Sequence, residues 1–426
     1  MKSPLVDSRP GSLDIRPASQ DRAVPIRDFV FMSEGASNAY LVTTPAGDVL
    51  VNTGLGTEAP VHKRAFESVS RNPIRYILLT QGHVDHVGGI DLFRAAHPGS
   101  VVIAQENVFT CRQDDERIKG FRQRRNLRFY PEFLAPLEEG GKPSADGGLG
   151  PAQSVARPDV VFATEHCFEL GGIRFELRAA PGGETIDSAL VWLPEHRILF
   201  SGNALGPLFG HMPNLYTIRG DKLRFALPYL DVVQMMIDLA PEVLVTGHFD
   251  PIEGRKTIHH ELVRLRDAVR WVHDRTVEGM NSGKDVFALM REIRLPPELE
   301  VGEDYGTVPW AVRAIYEGYA GWFRFRSTTE LYDVPAEDVY ADVAELAGCD
   351  ALARLAAAKL DEGRVLAAVH LAEMALARDA RHRDAWRVYV RAHERLLAES
   401  HPRNRWQKYW LEGEIARGRR ALGNSE

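Results

Sequence analysis

Cysteine is scarce. Cys111, Cys167 and Cys349 are scattered over 426 residues, an odd count with no metal-ligand spacing. That excludes a disulfide framework and fits a reducing compartment, so a cytoplasmic protein is expected. No run of 18 apolar residues occurs, which excludes a transmembrane helix, and no membrane partner is expected. The opening MKSPLVDSRPGSLDIRPASQDR lacks the apolar centre of a secretory signal. Positive charge is not in excess: 52 Lys and Arg face 59 Asp and Glu, a formal net charge of −7. No nucleic-acid partner is expected, because phosphate binding needs a basic surface. What is present is ordinary for a globular chain, 44% hydrophobic and 26% charged, with length for two or three domains.

Residues 1–25 are polar and read as a mobile leader. From there to about 254, short apolar runs alternate with helical patterns: AYLVTTPAGDVLVNTG as two strands about a turn, IRYILLT as a buried strand, IDLFRAAHPG as a helix. Strands resume with VVFATEHCFEL, IRFELRAA, SALVWLP and RILFSG, and EVLVTGH is read as the last. The alternation predicts an α/β sandwich over 26–254. Residues 112–158 break the rhythm with a charged stretch and then a Gly-rich one, and read as a structureless insert. Residues 255–334 read as a helical connection. Residues 335–426, rich in Ala and Leu, read as an all-α domain with a tetratricopeptide-like unit of about 34 residues. An ordinary helical bundle packing on a partner is the preferred reading of that tail.

The chemistry gathers in Thr80-Gln-Gly-His83-Val-Asp85-His86-Val-Gly88-Gly89. It follows a buried strand and opens a helix. Two imidazoles and a carboxylate within four residues can converge on a zinc-like cation. The plainer alternative is a polar helix start with Asp85 as its cap.

The cluster resembles the His-x-His-x-Asp-His-x-Gly-Gly motif of the metallo-β-lactamase superfamily, with Gln81 at the first His. Later segments resemble that family in order: Pro181-Gly-Gly-Glu184-Thr185 for the third ligand of the first metal, Leu199-Phe-Ser-Gly202-Asn203 for the bridging carboxylate, and Thr246-Gly-His248 for the last His of the second metal. Glu184 as a ligand, Asn214-Leu-Tyr216-Thr-Ile-Arg219-Gly220, IRLPPEL, and YGTVPWAVRAIYEGYAGWF resemble the alkyl sulfatase branch. The resemblance implies an αββα sandwich followed by a helical dimerisation domain, and hence a homodimer. It implies that the 112–158 insert covers the pocket. It makes Asn214 and Arg219 anchors for a small anionic substrate, and it brings Tyr130 to the pocket. Arg219 as a structural ion pair with Asp221, and Tyr130 as a packed aromatic, stay open. His211 could donate a proton, but a surface histidine is preferred. His259 and His260 read as solvated, and Arg124 and Arg125 as anion-steering or simply solvated.

Three positions depart from the family pattern, each losing a ligand or a charge. Gln81 replaces an imidazole. Asn203, or Gly202 in another alignment, stands where the bridging acid is expected. Asn52 replaces an Asp at a strand end. The first site keeps His83, Glu184 and the weaker donor Gln81. The second keeps Asp85, His86 and His248, with an open position for water. One tightly bound zinc is therefore expected, a second being weak or absent or completed by substrate oxygens. Manganese and iron are the alternatives. The expected activity is hydrolysis of an anionic ester, foremost a sulfate ester, by a metal-bound water or hydroxide, with Asp85, Asn214, Arg219 and Tyr130 as the catalytic set. The branch usually carries a further C-terminal lipid-carrier-like domain that this sequence does not include, so a substrate smaller or more polar than a surfactant is expected. A hydrolase of a carboxylic ester, lactone or amide, and a dimeric metal-binding scaffold with reduced catalysis, are the competing readings.

Overall fold

A computed structural model of the chain describes residues 4–130, 153–220, 224–400 and 403–423. The chain divides into two compact units, 1–316 and 317–426.

The first unit is built on two sheets. One runs β1 (Val24–Arg27), β2 (Val30–Ser33), β3 (Ala39–Val42), β4 (Asp48–Val51), β5 (Ile74–Leu78), β6 (Val101–Gln105), β7 (Val160–Phe162) in spatial order. It is antiparallel through β4 and parallel from there. The other holds β8 (Glu165–Leu170), β9 (Ile173–Ala179), β10 (Ala189–Leu193), β11 (Ile198–Gly202), β12 (Val243–Thr246) and β13 (Ile252–Glu253). EVLVTGH is thus followed by one further short strand.

The central strands are apolar on both faces because both faces are covered. In β4, Val49 and Val51 join Val191, Phe200 and Val245 between the sheets, while Leu50 faces outward onto Phe66, Ile90 and Phe93. Those outer residues come from helices Ala59–Glu67 and Ile90–Ala96. On the far side, Trp192, Leu199 and Leu244 pack against helices Ala226–Leu239, Arg255–Asn281 and Val308–Ala320. The layers are helix, sheet, sheet, helix, the sandwich expected from the alternating pattern.

Two expectations change. Residues 108–129, read partly as structureless insert, form helices Val108–Arg117 and Lys119–Phe129. Opposite charges support them: Arg117 pairs with Asp114 one turn away at 2.8 Å, and Arg122 of the second helix pairs with Asp115 of the first. The Gly-rich part of that insert and Asp221 lie outside the described residues. The stretch read as a leader is packed: Val6 is buried, Arg9 donates to the Asp250 carbonyl at 2.7 Å, and the Ala18 amide donates to Glu58 at 2.7 Å.

In the second unit, helices Cys349–Asp361, Val365–Arg378, Arg383–Glu399 and Arg405–Ala421 follow one another as antiparallel neighbours. Small residues (Ala356, Ala368, Ala372) let the helices approach, and Trp386 and Tyr389 fill the space between. No helix among the described residues is long and apolar enough to cross a membrane.

Candidate metal centre

The candidate ligands lie where strands of both sheets end. Gln81 and His83 follow β5, and the short helix Val84–Val87 carries Asp85 and His86. Asn203 follows β11 and His248 follows β12. Two parallel strands, β11 and β12, deliver the last two side by side.

The donor atoms of Asp85, His86 and His248 all lie within 4.8 Å of one another. Asp85 Oδ2 is 3.5 Å from His86 Nε2 and 4.0 Å from His248 Nε2. Burial pushes the His86 imidazole down to about 4, against the pull of Asp85, so it is neutral at ordinary pH. Burial also lowers His248. Burial would raise Asp85, but His86, His248 and His83 outweigh it and hold the carboxyl below its usual range. Neutral imidazoles beside an ionised carboxylate are the ligand forms. Ser37 stands against the ring: its hydroxyl donates to the Gly247 carbonyl at 3.1 Å and lies 3.1 Å from His86 Nδ1 and 3.5 Å from Nε2, where it can accept a ring N–H.

Asn203 reaches this cluster, its Nδ2 3.1 Å from His248 Nε2. Its Oδ1 is buried with no hydrogen-bond partner among the described residues. Residue 202 does not compete for that place. Gly202 has φ +50°, and a Cβ there would meet Thr80 Oγ1 at 2.2 Å. Three convergent donors of the right protonation state and an orphaned amide oxygen beside them fit a divalent cation.

The other trio is arranged differently. Gln81 Nε2 lies 3.0 Å from His83 Nδ1 and 3.2 Å from Glu184 Oε2, and those two atoms are 3.6 Å apart. The other Glu184 oxygen accepts from Tyr305 Oη at 3.2 Å and lies 3.6 Å from Arg224 Nη1. Burial would raise Glu184, but His83, Arg224 and Arg219 hold it well below the carboxylate range. Tyr305 is pushed up by burial and by Glu184, and stays a donor.

Arg224 also donates to the Asn214 carbonyl at 3.1 Å, which ties the Asn214 loop to Glu184. The Asn214 side chain is 2% exposed, and neither of its polar atoms has a partner among the described residues. The charge of Arg219 is felt at Glu184 and Tyr305, and Tyr130 is felt at Tyr305. The structure therefore brings Asn214, Arg219 and Tyr130 to the Glu184 side of the centre. His211 is not at the surface. It is 2% exposed, and its Nδ1 accepts from the Asp304 amide at 3.2 Å. Gly302 makes the room, since a Cβ there would meet the ring at 2.2 Å. His259 and His260 are exposed, as expected.

Residues 32–248 match the model of the metallo-beta-lactamase superfamily. The chain belongs to that superfamily. Residues 288–417 match alkyl sulfatase dimerisation. A linear primary-alkylsulfatase of Pseudomonas sp. is 29% identical over 300 residues, covering 67% of this chain and 56% of that protein. An alkyl/aryl-sulfatase of Saccharomyces cerevisiae is 26% identical over 320 residues, covering 70% and 49%. The chain spans about half the length of these curated relatives. The solved structure of a stereoselective inverting sec-alkylsulfatase from Pseudomonas sp. superposes with a TM-score of 0.78 at 20% identity, covering 95% of this chain and 66% of that one. That likeness shows a shared fold.

Within the superfamily frame, several supporting residues had no role in the sequence reading. Asp187 accepts from the Gly82 amide at 2.7 Å and so pins the loop between Gln81 and His83. Cys111 donates to Asp187 at 3.4 Å. Ser37 carries no motif of its own, whereas Tyr305 opens the quoted YGTVPWAVRAIYEGYAGWF segment. The signal for Asp187 and Arg224 was their place in or beside quoted segments. Asn52 sits at φ +59°, where Asn is tolerated, and clasps Thr80: its Oδ1 accepts from the Thr80 amide at 3.0 Å, and its Nδ2 donates to Thr80 Oγ1 at 2.9 Å. The amide does locally what the expected Asp does in the family pattern, and adds a donor.

Proposed function

We propose that the chain is a metal-dependent hydrolase of an anionic ester, foremost a sulfate ester. One zinc ion is held tightly by Asp85, His86 and His248, with Asn203 Oδ1 beside it, and a second is weak or absent. Manganese and iron suit the same donors. A zinc ion there supplies Lewis-acid chemistry and makes water acidic enough to attack at neutral pH.

The observation that carries the ester reading is Asn214, a fully buried amide with both polar atoms unsatisfied among the described residues. A buried amide is costly unless something bonds to it, and its loop also carries Arg219. An amide donor and a guanidinium fork together suit the oxygens of a sulfate group. In this reading Asn214 and Arg219 hold the anion, Asp85 and the neutral imidazoles order the attacking side, and Tyr130 closes the pocket near Tyr305. Water adds to the ester: its oxygen bonds to sulfur or carbon, the ester S–O or C–O bond breaks, and alcohol and hydrogensulfate leave. The alkyl sulfatase names of the relatives support the same substrate class.

Residues 26–254 carry the chemistry in this proposal, and residues 335–426 join two copies. The dimerisation match and the exposed Leu346 and Leu366 support that self-association. Sulfate release from alkyl sulfates of increasing chain length, with and without zinc, tests the activity and reads the expected preference for small substrates. Turnover of a lactone or carboxylic ester with none of any sulfate ester would move the reading to the other bond. A zinc-loaded protein that hydrolyses none of these would leave the scaffold.

A further inference from the structure

We propose that the Gln81 amide has taken the place of the first metal ion, so that the chain binds a single cation and a substitution at residue 81 opens a second site. The inference rests on the metal centre proposed above and deepens it.

His83 Nδ1 and Glu184 Oε2 are 3.6 Å apart. Two ligands of one tetrahedral zinc, with bonds of about 2.0–2.2 Å, stand roughly 3.4 Å apart. The pair is therefore spaced for a cation. Gln81 Nε2 stands against both, at 3.0 and 3.2 Å. An amide nitrogen has two hydrogens and no lone pair to give. It cannot ligate, but it can donate one hydrogen to each acceptor, which is the electrostatic task a cation would perform.

The remaining oxygen of Glu184 is taken as well. Tyr305 donates to Oε1, and the Arg224 guanidinium lies 3.6 Å from it. The charge of the buried carboxylate is thus answered from within the chain. A dication added beside Arg224 would meet a like charge in a buried setting. Turning the Gln81 amide over would put Oε1 about where Nε2 is, facing Glu184 Oε2 as acceptor against acceptor. Only a cation between them would reverse that preference. Asn203 differs in reach: its Nδ2 meets His248 Nε2 alone, whereas Gln81 Nε2 meets both His83 and Glu184.

The test is metal stoichiometry, read by elemental analysis and by zinc titration against a chromophoric competitor on stripped protein. The unsubstituted chain should take up one equivalent. Gln81→His, which restores an imidazole, should take up two. Gln81→Glu should also take up a second equivalent, because two carboxylates in contact demand a cation. It decides the matter if the His variant fails to fold by circular dichroism. Two equivalents of similar affinity in the unsubstituted chain overturn the inference and leave the metal centre standing. One equivalent in both folded variants overturns it too. No zinc uptake by the unsubstituted chain overturns the metal centre itself, and the inference with it.

Discussion

The two halves of the centre use similar side chains to opposite ends. Around Asp85, the imidazoles of His86 and His248 turn their nitrogens toward a common point and do not bond one another. Around Glu184, both carboxylate oxygens already have neighbours: Gln81 and His83 at one, Tyr305 and Arg224 at the other. Both sets are largely buried, Asp85 being the part-exposed member of the first, and both carry an ionised carboxylate. The difference lies in who supplies the positive charge. Polar residues that converge without satisfying one another mark a place for a ligand, and the same residue types closed into a network mark a wall.

The sharpest way to break this contrast is to compare substitutions across it. His248→Ala should weaken zinc binding by more than about 100-fold, since loss even of a residue supporting a ligand costs about 10–100-fold. Gln81→Ala should change it far less, and equal losses would show that both halves hold metal. Arg219→Ala should slow turnover of an anionic ester by about 10- to 150-fold, the worth of one charged hydrogen bond. Metal content should stay constant and a neutral ester should be spared, which steady-state kinetics with elemental analysis would read. Ser37→Ala should lower zinc affinity by about 10-fold, because His86 loses the hydroxyl that stands against its ring. Unchanged affinity in a competition titration would remove Ser37 from the centre.

The smallest expected effect concerns pH. Burial holds His86 and His62 at about 4, against roughly 6.5 in an unfolded chain. As pH falls from 6.5 toward 4 the unfolded chain takes up protons that the folded one refuses, so stability is lost. Glu58, pushed up to about 7 by burial, acts in the opposite sense between about 4.5 and 7. With His248 lowered in the same sense, the imidazoles outweigh the one carboxylate and leave a net loss of about 1 kcal/mol or more for metal-free protein between pH 7 and 5. Denaturant midpoints at the two pH values check it.

Much of the sandwich was legible because its strands are apolar on both faces, as in Val49-Leu50-Val51, and such runs stand out. The ligand cluster was legible because its members are close in sequence. The residues that orient it were not. Ser37 reaches His86 across 49 positions and Tyr305 reaches Glu184 across 121, and a lone hydroxyl in a loop has no periodicity to betray it. His211 was misjudged because its burial depends on the space left by distant Gly302. The helices over 108–129 were missed because a stretch rich in charge looks like a solvated loop until its ion pairs are seen.

The order of the ligands along the chain has a bearing on how the protein is made. Asp85 and His86 leave the ribosome early, whereas His248 emerges only after all of the second sheet except β13. Until β12 pairs with β11, the early residues supply just two of the three converging donors, too few to retain a cation against cellular competitors. On the proposed metal centre, capture of the cation would therefore follow closure of the sandwich. A nascent chain truncated before residue 248 would leave its cation to other proteins, and loading is a property of the finished fold.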